Sequence, residues 1–339
     1  MSRAALLAIA AVLSTPVLAQ DATEQWRICS DEATPIISRI NACTVAIEAQ
    51  RDAPRNQAKA HFNRARAHEG ANDLPAALVD LDQAIRLDPS DADFFLARGR
   101  VHGTAERYDR AMADFAEMVR LNPRDYRGYH NRGVVLARLG RHAEAMRDLD
   151  EAVRLAFADV APRLTRATLR HQMRDYAAAI ADYDEVLRLG GDEAEVLARR
   201  AACFEALGQH DRAIDDLTRA IRLAPADANP WNSRCWVRAI IGQLELALAD
   251  CEEALRLKPG EAAILDSRGL VHLKAGRNDA AIADYDAALR IDARIATSLY
   301  GRGIALQRSG DAMRGEVDIV AAKLIQPDIA EEMARFGVK

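Results

Sequence analysis

The five cysteines are the residues of this 339-residue chain best suited to covalent chemistry. Cys29 and Cys43 lie fourteen residues apart on two segments that we predict to be facing helices. In an exported protein such a pair forms a disulfide, so we predict a bond between them. Cys235 and Cys251 should face each other within one helical hairpin, either as a second disulfide or as two core thiols. Cys203 is predicted to be a buried small hydrophobic residue, not a reactive thiol.

The remaining reactive side chains do not form a recognisable catalytic or metal site. None of the eight histidines occurs in a His-Glu-x-x-His or Cys/His metal spacing. His68, His102 and His272 share one position of a repeated pattern and His61 occupies another, so we interpret them as structural side chains with satisfied hydrogen bonds. The sequence contains no glycine-rich phosphate loop and no nucleophile elbow, and its carboxylates recur at a fixed spacing instead of forming one dyad. We therefore predict a protein that is not an enzyme and that holds no cofactor or metal.

The composition favours a helical protein. Alanine accounts for 68 residues while aromatic residues make up only 5% of the chain, which disfavours a β-sandwich or barrel. The formal net charge is −5, with acidic and basic residues intermixed. The basic excess typical of nucleic-acid-binding proteins is missing, so we predict no nucleic-acid partner.

Residues 1–19 are predicted to be a signal peptide. Arg3 precedes the apolar run 4–13, Pro16 breaks that run, and the segment ends in small or apolar residues up to Ala19, after which we place the cleavage. An uncleaved N-terminal anchor is the alternative. No other stretch approaches 18 uninterrupted apolar residues, so we predict no integral membrane segment after cleavage. The expected location is the periplasm or the exterior of the cell.

An internal repeat determines the predicted architecture. The segment 80–89 recurs every 34 residues without an insertion, which defines eight units: 58–91, 92–125, 126–159, 160–193, 194–227, 228–261, 262–295 and 296–329. Unit positions 8 and 20 are small in every copy, as at Ala65 and Ala77, and glycines lie between them in most units. We call one unit position, compared across all eight units, a column. Two columns of small residues at this spacing predict two closely packed antiparallel helices joined by a short turn. Because one hairpin cannot bury both sides of its apolar stripe, the units must stack.

Two charged columns accompany the small ones. Every unit has arginine at position 7 and aspartate at position 23, as at Arg200 and Asp216. A ligand-binding charge ladder is one interpretation of these columns. We favour a structural ion pair between the two helices of each hairpin, because a partner site should vary from unit to unit while a shared structural bond should not.

These units resemble the tetratricopeptide repeat family. The family carries small residues at positions 8 and 20, a bulky residue at 24 and proline at 32, and residues 58–329 follow this pattern apart from Phe157, Gly191 and Ala293 at the proline position. The resemblance implies an all-α fold: a right-handed superhelical solenoid of about eight 34-residue helix-turn-helix repeats. Residues 20–57 look like an N-terminal capping hairpin, and residues 330–339 like a short polar C-terminal helix that closes the array.

The resemblance also places function on the concave face, which the family lines with unit positions 2, 5, 6, 9, 12 and 13 of the first helices. In the N-terminal half we expect a positive groove, and in the C-terminal half an apolar one. The candidate partner-binding residues are Arg66, Arg100, Arg127, His130 and Arg138 in the first half, and Trp236, Ile240, Leu270, Tyr300 and Ile304 in the second.

We therefore predict an exported scaffold that binds segments of a partner protein, with an acidic or polar stretch on the first half and an apolar anchor near Trp236. Assembly of an envelope complex would suit such a scaffold. Alternatively, Trp236, Leu270 and Ile304 only pack between adjacent first helices. A binder of a non-protein envelope ligand, glycan or peptidoglycan, is the other functional class that we consider, although stacked aromatic residues are few on this face.

Overall fold

A computed structural model describes residues 15–49, 53–191 and 193–338, which form nineteen α-helices and no strand. The chain divides into two compact units, residues 1–165 and 166–339. The first unit contains α1 (Thr15–Ser30), α2 (Ile36–Glu48), α3 (Pro54–Gly70), α4 (Leu74–Leu87), α5 (Ala92–Thr104), α6 (Tyr108–Leu121), α7 (Tyr126–Arg138) and α8 (His142–Leu155). The division falls within α9 (Ala161–Gln172). The second unit continues with α10 (Tyr176–Gly190), α11 (Ala194–Ala206), α12 (His210–Leu223), α13 (Ala228–Ile240), α14 (Leu244–Leu257), α15 (Ala262–Lys274), α16 (Asn278–Ile291), α17 (Ala296–Arg308), α18 (Ala312–Ile325) and α19 (Ile329–Arg335).

Local sequence signals set the ends of these helices. The Asp91 carboxylate accepts a hydrogen bond from the backbone N–H of Asp93 at 3.0 Å, and Asp227 accepts one from Asn229 at 2.9 Å, so both aspartates cap the start of a first helix. The turn after α11 contains Gly208 with φ of 70°, a left-handed conformation that glycine adopts without strain. These residues have conformational preferences that match their positions, whereas the turns of two other hairpins place Glu106 and Arg174 in the left-handed region, with φ of 56° and 61°.

The small columns allow the two helices of each hairpin to approach closely. Ala65 on α3 and Ala77 on α4 are both fully buried. In the last hairpin, a Cβ atom added at Gly303 would lie 2.7 Å from the Gly315 carbonyl oxygen. A larger side chain at these positions would push the helices apart, which explains why the repeat keeps them small.

The arginine and aspartate columns form the predicted ion pairs. In the hairpin of α13 and α14, Arg234 donates from Nε and Nη2 to the two carboxylate oxygens of Asp250, at 2.9 and 2.7 Å. The same pairing occurs in all eight units, between residues sixteen apart: Arg64 with Asp80, Arg98 with Asp114, Arg132 with Asp148, Arg166 with Asp182, Arg200 with Asp216, Arg268 with Asp284 and Arg302 with Asp318 complete the set. The structural interpretation of the columns is confirmed.

Several of these arginines also connect neighbouring hairpins. Nη1 of Arg302 donates to Asp286 at 2.7 Å, and Nη1 of Arg234 donates to the Thr218 hydroxyl at 2.9 Å. Both acceptors lie on the second helix of the preceding hairpin. One planar guanidinium therefore holds a hairpin closed and joins it to the previous one, which a lysine could not do with the same geometry.

Two disulfides close loops at different places in the chain. Cys29 on α1 is bonded to Cys43 on α2, and Cys235 on α13 is bonded to Cys251 on α14. Cys203 is a buried free thiol, and burial raises its pKa to about 11. A thiol that stays protonated in the core is a poor nucleophile, as the sequence predicted for this residue.

The two faces of each stack differ in how closely their helices approach. In the second unit the first helices α11, α13, α15 and α17 each contact the next one, and in the first unit α1, α3, α5 and α7 do the same. Among the described residues, the second helices contact the following first helix, and none approaches the next second helix as extensively as successive first helices approach each other. The first helices consequently line the inner face of each stack.

The ends of the chain differ from the sequence predictions. Helix α3 begins at Pro54, four residues before the first predicted unit, because proline suits the first turn of a helix. The C-terminal helix α19 is amphipathic, not polar: Ile329 and Met333 are buried, as is Val338 beyond it.

Most of the predicted signal peptide, residues 1–14, lies outside the described residues. No helix in the part of the chain that the structure describes has the length and apolar character needed to cross a membrane.

Candidate functional site

The inner face of the second unit contains a pocket of about 570 Å³. Its lining comes from α11, α13 and α15, from Leu217 of α12, and from the loops that precede α15 and α17. It combines the ring of Trp236 with small side chains such as Ala198 and Ala202. We call this site the inner pocket. Its volume falls in the range of sites that hold a ligand or several side chains of a partner.

Among the described residues, the inner pocket is lined by four carboxylic acids and by no lysine, arginine or histidine: the acids are Glu205, Glu261, Asp266 and Asp292. Glu261 pairs with Lys258 at 2.7 Å, and Asp292 accepts a hydrogen bond from the backbone N–H of Arg294 at 2.9 Å. Both lie at the exposed or partly exposed margin of the pocket.

Asp266 is the most deeply buried of these acids, with 8% of its surface exposed. Its carboxylate accepts hydrogen bonds from the hydroxyls of Thr297 at 2.9 Å and Ser298 at 2.5 Å, both on α17. Burial raises the pKa of Asp266 to about 6, and the two hydroxyl donors only partly oppose this effect. Neither partner carries a positive charge.

Two further polar groups of the pocket are unusually placed. Burial raises the pKa of Glu205, which His210 opposes and Glu332 reinforces. The Oδ1 atom of Asn232 is buried and has no hydrogen-bond partner within the part of the chain that the structure describes. An acceptor left unpaired in this way is costly, and a bound donor would relieve it.

The C-terminal segment 329–338, which we call the tail, covers part of the same face. Phe336 packs edge-on against Trp236, with ring centroids 5.2 Å apart. The Lys274 ammonium donates to the carbonyl oxygens of Ile240 at 2.8 Å and Phe336 at 2.5 Å, and burial lowers its pKa. The tail therefore binds to the first helices α13, α15 and α17 instead of simply capping the end of the stack.

The tail changes the prediction for the apolar half of the groove. Leu270 is 1% exposed and Ile304 is 9% exposed, and both belong to one hydrophobic cluster with the buried residues of the tail. They are core residues in this structure, not an open surface. Trp236, Ile240 and Tyr300 are partly buried, and Trp236 also lines the inner pocket.

In the first unit, three of the predicted positive residues are already engaged with carboxylates. Arg66 forms an ion pair with Glu32, Arg100 with Glu69 at 3.0 Å, and Arg127 with Asp93 at 2.8 Å and Asp125 at 2.5 Å. These pairs reduce the positive character expected of this face. Nε2 of His130 lies 2.9 Å from the Thr165 hydroxyl, and burial lowers the pKa of His130. Arg138 is exposed and lines a cavity of about 370 Å³.

The predicted structural histidines are only partly satisfied. Nδ1 of His61 lies 2.9 Å from Asp80, and Nδ1 of His68 is 3.7 Å from Asp73. Nδ1 of His102 and of His272 is buried without a hydrogen-bond partner, which corrects the expectation that all four are satisfied. Within the described residues, no three His, Cys, Asp or Glu side chains converge as the ligands of a metal ion would.

The acidic and amide residues of the inner pocket were not among the predicted site residues, although their positions in the repeat carried a signal for them. Asn232 and Asp266 occupy unit position 5, and Glu205 occupies position 12, both among the positions that the family resemblance assigns to the concave face. The predicted site residues were basic or apolar side chains at positions 2, 5, 9 and 13, and these three acidic or amide residues were not among them.

The tetratricopeptide repeat model matches residues 96–159, 164–228, 241–294 and 267–314. No curated protein sequence matches the chain. Similar solved structures include a tetratricopeptide repeat protein from Parabacteroides merdae, with a TM-score of 0.53 and 17% identity over 74% of this chain and 99% of the other. For pilF of Pseudomonas aeruginosa the TM-score is 0.54 and the identity is 21%, over 62% of this chain and 96% of the other. For the C-terminal part of a tetratricopeptide repeat protein from Cytophaga hutchinsonii the TM-score is 0.58 and the identity is 14%, over 71% of this chain and 98% of the other. At these identities the likeness concerns the fold alone.

Proposed function

Because the chain belongs to the tetratricopeptide repeat family, we propose that it is a non-enzymatic scaffold that binds a segment of a partner protein in the inner pocket. The observation that carries this proposal is the pocket itself. It is an open recess of about 570 Å³ between successive first helices, with one large aromatic side chain and several polar groups. Rigid stacked hairpins hold these groups in fixed positions, so a partner segment can bind without reorganising the scaffold.

The test compares two alanine-to-tryptophan variants that differ only in location. Ala202 is exposed within the inner pocket, and Ala249 is exposed on α14. Ala202→Trp should fill the pocket and abolish capture of the partner in pulldowns followed by quantitative mass spectrometry. Ala249→Trp should capture the same proteins as the wild type. If Ala202→Trp retains every protein that the wild type captures, the pocket is not the binding site.

We also propose that the protein is exported to the periplasm. The basic and then apolar sequence of residues 1–19 and the two disulfides support this location, because disulfides persist in oxidising compartments. Fusing residues 1–25 to an alkaline phosphatase that is active only after export should give an active enzyme in a bacterial host. An inactive fusion that accumulates in the cytoplasm would refute export.

A glycan ligand has less support than a protein segment. Sugar rings stack on aromatic side chains, and Trp236 is the only aromatic residue that the described part of the chain contributes to the inner pocket. The remaining lining consists of small, aliphatic, polar and acidic side chains, and its charged groups suit a polypeptide of complementary charge better.

A further inference from the structure

We propose that the inner pocket binds a positively charged side chain, the guanidinium of arginine or the ammonium of lysine, from an extended segment of the partner protein. This inference rests on the proposed function and specifies the chemistry of the segment. The observations behind it are the pairing of buried aspartates throughout the chain, the unpaired acceptors in the pocket, and the position of Trp236.

Buried aspartates follow one pattern elsewhere in this protein. The described residues include nine buried aspartates, and eight of them form ion pairs with the position 7 arginine of their own hairpin. Asp266 is the ninth. It has hydroxyl partners only, on Thr297 and Ser298. A buried carboxylate without a cation is energetically unfavourable, and this one faces an open pocket that an external cation can enter.

The pocket offers further groups that a cation would satisfy. Glu205 has no cationic side chain within hydrogen-bond distance in the part of the chain described, and burial disfavours its charged form. The buried Oδ1 of Asn232 has no donor. A guanidinium or an ammonium carries several N–H donors and no acceptor, so one such group can serve both a carboxylate and the amide oxygen. The Trp236 ring supplies the aromatic surface on which such cations are stabilised.

Other cationic ligands fit the pocket less well. The carboxylates do not converge as a metal site requires, as judged over residues 15–49, 53–191 and 193–338. The volume exceeds that of a bare ion and accommodates a long side chain together with flanking peptide. The family resemblance to peptide-binding scaffolds makes a partner protein the source that we expect.

The first experiment identifies the preferred peptide. The probe is a random hexapeptide library displayed on phage, selected on the wild-type protein and counter-selected on Ala202→Trp. We expect arginine or lysine at one position of the selected peptides at least tenfold above its frequency in the library. Selected peptides that lack both residues would overturn the inference.

The second experiment removes the charge on either side of the contact. Replacing the selected arginine by citrulline, or the selected lysine by norleucine, should weaken binding at least tenfold in isothermal titration calorimetry. Asp266→Asn and Glu205→Gln should each weaken binding of the charged peptide at least tenfold. The control Glu245→Gln, an equal charge change at an exposed position on α14, should stay within twofold of the wild type. Equal affinities for the charged and uncharged peptides would refute the proposal.

Two comparisons separate this inference from its alternatives. Spermidine that binds more tightly than the charged peptide and displaces it would indicate a free polyamine as the ligand and would overturn a peptide source. If Ala202→Trp abolishes partner capture while Glu205→Gln and Asp266→Asn leave it unchanged, the scaffold function stands and the cationic contact is refuted. If Ala202→Trp captures the partner normally, the proposed function fails as well.

Discussion

Replacing Asp266 by asparagine should make the protein more stable at pH 8 and leave its stability almost unchanged at pH 4. The side chain is buried and is hydrogen-bonded only to two hydroxyls, so its ionised form is disfavoured in the folded state. Burial raises its pKa to about 6, whereas an exposed aspartate titrates near pH 3.9, as it would in the unfolded chain.

The direction of the pH effect follows from these two pKa values. Between about pH 4 and pH 6 the folded protein binds a proton at Asp266 that the unfolded chain has already lost. The free energy of unfolding therefore decreases as the pH rises through this interval, and the full penalty is present above pH 6. The folded and unfolded pKa values of Asp266 differ by about two units. Each unit corresponds to about 1.4 kcal/mol, so ionised Asp266 lowers the free energy of unfolding by about 3 kcal/mol.

Asparagine avoids this penalty because it carries no charge. Its amide offers one acceptor oxygen, so one of the two hydroxyl contacts is weakened, at a cost of about 1 kcal/mol. The net expectation at pH 8 is an increase of about 2 kcal/mol in the free energy of unfolding. Tyr285 does not titrate in this interval, because burial keeps its pKa well above the usual value.

The measurement is urea denaturation of the wild type and of Asp266→Asn at five pH values from 4 to 8, followed by circular dichroism and tryptophan fluorescence. Taking the difference between the two proteins cancels the titration of the carboxylates that they share. Asp250→Asn is the matched control, and it should destabilise the protein at pH 8 because Asp250 pairs with both Arg234 and Arg238. A difference between the wild type and Asp266→Asn that is the same at pH 4 and pH 8 would refute the reasoning.

Three further predictions concern the groups that hold the fold together. Arg200→Ala should destabilise the protein by about 3 kcal/mol in urea denaturation, because it removes the bidentate partner of the buried Asp216 carboxylate and leaves only Arg219, at 3.8 Å; an unchanged midpoint would contradict this. Cys29→Ser should lower the free energy of unfolding of the N-terminal hairpins by about 3 kcal/mol, which hydrogen exchange would detect, since the disulfide closes a loop of fourteen residues. Phe336→Ala should cost about 2 kcal/mol and shift the indole N–H resonance of Trp236 in NMR spectra, and an unmoved resonance would show that the tail does not pack there.

The hairpins could be predicted from the sequence because their determinants recur. Each unit has small residues at two fixed positions, an arginine at a third and an aspartate at a fourth. Because this pattern occurs eight times, it cannot be a coincidence of sequence. The pairing of Arg234 with Asp250 needed no three-dimensional information beyond the antiparallel arrangement of two helices. The same arrangement places Cys235 and Cys251 in columns that face each other, but it left open whether they form a disulfide or two core thiols, and the structure shows the disulfide.

Features that occur once could not be predicted in this way. The tail has no counterpart in the repeats, and its placement depends on Ile329, Met333 and Phe336 finding apolar surface on three different first helices. A short segment with mixed polarity gives no periodic signal that distinguishes this arrangement from a simple end cap. The burial of Leu270 and Ile304 agrees with the alternative that these residues pack in the core, and the sequence did not show that the tail belongs to the same hydrophobic cluster.

The same distinction bears on where function is found in a repeat protein. A column that is constant in every unit reports what each hairpin needs in order to fold, and the arginine and aspartate columns are of this kind. A residue that breaks the pattern of its column is not required by the repeat. Asp266 stands at a position that holds phenylalanine, leucine, histidine, alanine, asparagine or tyrosine in the other units, and it is buried without a cation. Because the other units have no acid at this position, the stability cost that we predict for Asp266 supports the binding role that we propose for it.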